Sequence, residues 1–159
     1  MQKIKKLSKK LLFVIMFACS VLSLFIIYIY FIIVYIGDHD RIVNGIRVPG
    51  ILCFNCWENY KINYSKLLEK ATINDAKSIK RIVLLDFDGA YSYHHGGVIV
   101  DLIGIIGEDK FIQSLTTISS EQKRNVTAYI RVGLEYGSNP NFKGKTLKEA
   151  FPKIYIFLN

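Results

Sequence analysis

Charge is missing altogether from Leu11 to Ile36, a run of 26 residues that reads LLFVIMFACSVLSLFIIYIYFIIVYI. Cysteine is scarce, with three residues of which only Cys53 and Cys56 lie near one another. No repeat of fixed period, low-complexity tract or linker long enough to suggest two domains divides the remainder, which is the size of one domain. Acidic residues are absent from the first 37 positions, so the net charge of +8 is unevenly distributed. Five of the 21 basic residues stand within the first ten positions, leaving 16 basic against 13 acidic from Gly37 onward. That near-neutral remainder excludes a nucleic-acid partner as the explanation of the basic total.

A bilayer's hydrocarbon core, about 30 Å thick, is crossed by roughly 20 apolar helical residues, so residues 11–36 are long enough to span it with tilt. Lys3, Lys5, Lys6, Lys9 and Lys10 precede the run, while Asp38, His39, Asp40 and Arg41 follow it. Basic residues favour the cytoplasmic flank, so the expected topology is single-pass in the cell membrane. The N-terminus is then cytoplasmic and the C-terminal domain extracytoplasmic, with Tyr28, Tyr30 and Tyr35 near the exit headgroups. A cleaved signal peptide is a poorer reading, because the run is too long and nothing at its end resembles Ala-x-Ala. Met16-Phe-Ala-Cys19 resembles a bacterial lipobox, with Cys19 as the lipidated residue.

The expected organisation is a basic flank at 1–10, a transmembrane signal-anchor helix at 11–36, a juxtamembrane segment at 37–60 and a helical domain at 61–159. Within the juxtamembrane segment, Asn44-Gly45 between β-branched residues predicts a small hairpin with a type I′ turn. Cys53-x-x-Cys56 follows. In an oxidising compartment the pair predicts a local disulfide. A thiol oxidoreductase would need a lowered thiolate pKa at a helix N-terminus, and zinc would need two further ligands at close spacing.

Beyond Asn63 the pattern is helical, over Tyr64–Lys70 and again after Asn74, a candidate N-cap. Ile79, Ile82, Val83 and Ala90 share a helical face, and in that reading Asp86 and Asp88 face water and Gly89 ends the helix. The same stretch also reads as a buried strand. As Ile82-Val-Leu-Leu-Asp-Phe-Asp-Gly89 it resembles the first motif of the haloacid dehalogenase-like phosphohydrolases. That resemblance implies a parallel sheet, Asp86 as nucleophile and Mg²⁺ ligand, and Asp88 as general acid/base.

Tyr91 to Gly97 is a polar, glycine-rich connection that holds His94 and His95. These are candidate metal ligands beside Asp86, Asp88 and Asp101, although adjacent residues do not share one face of a regular element. Val98–Ile106 predicts the central helix, ended by Gly107. Ser119-x-x-Gln122 and Thr146-x-x-Glu149 are capping boxes, Gly137 is a helix stop, and Pro152 breaks or kinks the last helix.

The expected fold is mainly α: one N-terminal transmembrane helix, then about five short helices, HEAT-like in stacking, over the hairpin. The expected function is a membrane-anchored extracytoplasmic interaction domain, such as an envelope accessory or immunity-type protein. Its contacts would be the lipid bilayer, through residues 11–36, and a protein partner anchored by Trp57, Tyr91 or Tyr93. No cofactor is expected. The alternatives are the phosphohydrolase using Asp86 and Asp88 and the oxidoreductase using Cys53 and Cys56.

Overall fold

The computed structural model describes residues 9–37 and 39–159, with side chains for 11–30 and 39–159. The expected roles of Lys3, Lys5, Lys6 and Asp38 therefore lie outside the described residues, as do those of the Lys9, Lys10 and Tyr35 side chains. The chain forms two compact units, Met1–Gly37 and Asp38–Asn159.

The described residues of the first unit form one helix, α1 (Lys9–Gly37). Its segment Leu11–Tyr30 is long and apolar enough to cross a membrane. The side chains of this segment are all exposed within the unit. The Ser20 hydroxyl donates to the Phe17 carbonyl and the Ser23 hydroxyl to the Ser20 carbonyl, each at 2.8 Å. Both hydroxyls are thus satisfied by the helix itself, as an apolar solvent requires.

The second unit starts with the expected hairpin, β1 (Arg41–Val43) antiparallel to β2 (Ile46–Val48), in register Arg41↔Val48 and Val43↔Ile46. Asn44 and Gly45 take φ values of 47° and 87°, as a type I′ turn demands. Eight helices follow: α2 (Gly50–Tyr60), α3 (Tyr64–Thr72), α4 (Ala76–Val83), α5 (Gly89–Ile106), α6 (Glu108–Ser114), α7 (Ser120–Tyr136), α8 (Leu147–Ala150) and α9 (Pro152–Leu158). The described residues are mainly α, with this hairpin as their one sheet. The hairpin and α2 belong to the same core as the later helices, through Ile46, Val48, Leu52 and Cys56.

Both predicted capping boxes form. Ser119 accepts from the Gln122 N–H while the Gln122 side chain accepts from the Ser119 N–H, and Thr146 and Glu149 repeat the arrangement. Such caps satisfy donors that the first helical turn leaves free. The chain breaks at Phe151, and Pro152 occupies the first turn of α9, where its missing N–H costs nothing.

Four expectations require correction. Asn74 is not the N-cap of α4; it takes a left-handed φ of 68°, and Asp75 caps instead by accepting from the Ser78 N–H. The helix expected through Ala90 ends at Val83, and 84–88 is irregular before α5. Gly89 therefore opens a helix where it was expected to close one. The polar connection at 91–97 is part of α5, because Gly96 lets its backbone approach α7 at Tyr129 and Gly133. A Cβ on Gly133 of α7 would lie 2.1 Å from the Gly96 carbonyl oxygen, so two hydrogen-only residues are needed at this crossing. The resulting α5–α7 pair is the main helix contact of the unit.

Candidate functional site

Cys53 and Cys56 lie inside α2, which determines their chemistry. Cys53, Cys56 and, in α1, Cys19 are free thiols, so the expected Cys53–Cys56 disulfide is not formed. The reason is directional: Cys56 is fully buried in the core, whereas the Cys53 sulfur lies 3.3 Å from the Ser65 hydroxyl of α3. Burial pushes the Cys56 thiol up to about 12, with Cys53 adding to the push. A redox-active pair needs the opposite shift.

The phosphohydrolase resemblance loses its scaffold in the same way. Ile82 and Val83 close α4, Leu84–Asp88 is irregular, and no parallel sheet exists among the described residues. Asp86 and Asp88 are exposed. The Tyr60 hydroxyl donates to the Asp86 backbone carbonyl, and the Tyr129 hydroxyl reaches Asp86 Oδ1 at 3.4 Å. The better contacts of Tyr129 are with Phe87: its hydroxyl accepts from the Phe87 N–H at 2.8 Å and donates to the Phe87 carbonyl at 3.0 Å. That pair pins the irregular turn to α7.

His94 and His95 separate completely. His95 is fully buried, its ring 4.6 Å from that of Phe87 and 5.0 Å from that of Tyr129, centroid to centroid. Its Nδ1 lies 2.8 Å from the Tyr64 hydroxyl, which donates when Nδ1 is unprotonated. Its Nε2 has no partner of good geometry. Burial lowers the pKa of His95 to about 3, opposed only by the Ile82 backbone carbonyl, so the ring is neutral. His94 is exposed and lines a different cavity. Among the described residues, no three His, Cys, Asp or Glu side chains converge as a metal site would require.

What the fold does assemble is an apolar face. Ile51, Phe54 and Trp57, three residues apart on α2, are exposed while Leu52 and Cys56 face the core. Trp57 is 59% exposed, and Glu58, one turn after Phe54, is exposed as well. Ile51 continues into a cavity of about 500 Å³ that Arg47, Tyr93, His94 and Tyr136 also line. Tyr93 of α5 and Tyr136 of α7 meet edge to face at 5.0 Å, and both remain exposed. Arg47 pairs with Asp40 at 2.6 Å, and that hydrogen bond holds the Asp40 carboxyl below its usual range.

Of the aromatic anchors named from sequence, Trp57 and Tyr93 are exposed but stand on helices, and Tyr91 packs half-buried against the core. Ile51, Phe54 and Tyr136 emerge only from the fold. Their signal in the sequence is the three-residue spacing Ile51–Phe54–Trp57, offset from Leu52 and Cys56, which becomes legible once 50–60 is read as a helix. No known protein family matches the chain, and neither a curated protein nor a solved structure is significantly similar to it.

Proposed function

We propose that the chain is a membrane-anchored, extracytoplasmic interaction domain that binds a protein partner through the exposed face of α2 and the adjoining cavity. The carrying observation is that Ile51, Phe54 and Trp57 face solvent on a domain with a well-filled core. Contiguous apolar surface of this kind is expensive to leave wet and is characteristic of interaction sites. Glu58 argues for a protein as occupant over hydrocarbon, because a carboxylate within the face can be paired by a partner but is penalised in lipid. The anchor is residues 11–36, and the lysines before it favour a cytoplasmic N-terminus in the cell membrane. An envelope accessory or immunity-type role fits a tethered binding domain.

The test is site-specific photo-crosslinking in intact cells, with the reactive group at Phe54, at Trp57 and at the control position Lys148. A discrete protein adduct at Phe54 and Trp57, absent at Lys148 and lost in a Glu58→Lys background, is expected. Adducts to lipid alone, or equal yields at all three positions, would overturn the reading. Digestion of the domain by an impermeant protease added outside the cells checks the topology.

A further inference from the structure

A second surface, on α3 and α4, gathers cations. Lys61 beyond α2, Lys66 and Lys70 of α3, and Lys77 and Arg81 of α4 line one cavity of about 300 Å³. All five are exposed, and no carboxylate lines the cavity with them. Ile62 and Leu67 supply an apolar floor. The ion pairs among the described residues are Arg47–Asp40 and Lys153–Asp109, so none of the five belongs to one.

The acids nearby are otherwise engaged. Asp75 caps α4, its carboxylate accepting from the N–H and the hydroxyl of Ser78, and it acts on Lys70 and Lys77 only through the field of its charge. Glu69 lies between Lys66 and Lys70 in sequence but lines a neighbouring cleft, which it shares with Arg41 and, at the boundary of the two, with Lys66. With 16 basic and 13 acidic residues from Gly37 onward, the domain has acids enough to pair these cations, so their convergence does not follow from an excess of lysine.

We infer that this cleft binds a phosphate-bearing anion. A single carboxylate would occupy one or two of five cations, whereas a phosphate offers several oxygens to ammonium and guanidinium groups at once. The floor of Ile62 and Leu67 suits a phosphate that carries hydrocarbon. Such a group is supplied by an anionic lipid headgroup or by a soluble phosphate compound. This site is independent of the protein-binding face of α2 and stands or falls separately from it.

The full chain, reconstituted in phosphatidylcholine nanodiscs and in discs containing phosphatidylglycerol, provides the test. Lysine acylation is followed by mass spectrometry, with and without inorganic pyrophosphate, using Lys110 and Lys143 as controls. Acylation of Lys66, Lys70 and Lys77 should slow about fivefold when the anion stands at about four times its dissociation constant. Slowing in phosphatidylglycerol discs alone identifies the headgroup, and slowing on adding pyrophosphate to neutral discs identifies a soluble phosphate. Lys70→Glu combined with Lys77→Glu should remove the protection of Lys66 while leaving the circular dichroism unchanged. Unchanged rates in every condition, or equal slowing at Lys110 and Lys143, would overturn the site.

Discussion

A single imidazole shows how far burial overrides intrinsic chemistry. His95 and His94 are neighbours, yet α5 turns one into the core and the other toward Arg47. His95 has a folded pKa of about 3 against an unfolded value near 6.5. Below pH 6.5 the unfolded chain therefore binds a proton that the folded chain refuses. Stability is then lost as the pH falls from 6.5 toward 3, by up to about 1.4 kcal/mol per pH unit. Urea unfolding at pH 7, 6, 5 and 4 should show this slope, flattened in a His95→Phe variant measured against its own value at pH 7. A wild-type stability that does not change between pH 7 and 5 would contradict the burial of this ring. The Cys56 thiol follows the same rule with the opposite sign for an acid, since desolvation disfavours whichever form is charged.

The α5–α7 pair shows why some elements were legible and others were not. Capping boxes, the Asn44-Gly45 turn and the Pro152 break are local, so Ser119, Thr146, Asn44 and Pro152 announce them within four residues. Residues 91–97 carry no such signal. Two glycines in a polar stretch oppose a helix by propensity, and the stretch becomes helical because α7 packs against it at Gly96. Gly133→Ala should therefore destabilise the domain by about 1–3 kcal/mol, the usual cost of forcing atoms into a filled contact. Gly97→Ala is the control. A Cβ there would meet only the Gly137 Cα, at 3.7 Å, so gained helix propensity should leave stability unchanged or raise it by up to about 1 kcal/mol. Thermal unfolding of the two variants side by side separates the cases, and an equal effect at both positions would refute the close crossing. The same distinction applies to α2: no local cap announces it, since Pro49 has no capping side chain and the Gly50 N–H donates to Asp40 Oδ1, ten residues earlier, at 3.4 Å. Without α2 the Cys53 and Cys56 spacing reads as a disulfide loop, and the Ile51–Phe54–Trp57 face is invisible.

Taken whole, the chain is an apolar helix joined to a separately cored unit. The described core residues of that unit, among them Leu68, Ile99, Phe111 and Ile130, form one cluster within it. A fragment beginning at His39 should stay folded and unfold cooperatively, within about 3 °C of the full chain in detergent, by circular dichroism and calorimetry. A fragment lacking a cooperative transition would show that the two units fold as one. The sequence by itself determined the apolar span, the charge asymmetry, the hairpin turn and the helix caps, because each depends on residues within a few positions of one another. Only the tertiary structure decided that Cys53 and Cys56 point apart, that Asp86 and Asp88 lack a strand, and that His95 is neutral. The apolar face of α2 and the cationic cleft of α3 and α4 were likewise settled by packing. For the two cysteines and His95 the deciding contacts come from residues 12 or more positions away, Ser65 beside Cys53 and Tyr64 beside His95, and it is the desolvation and field at that meeting place that set their chemistry.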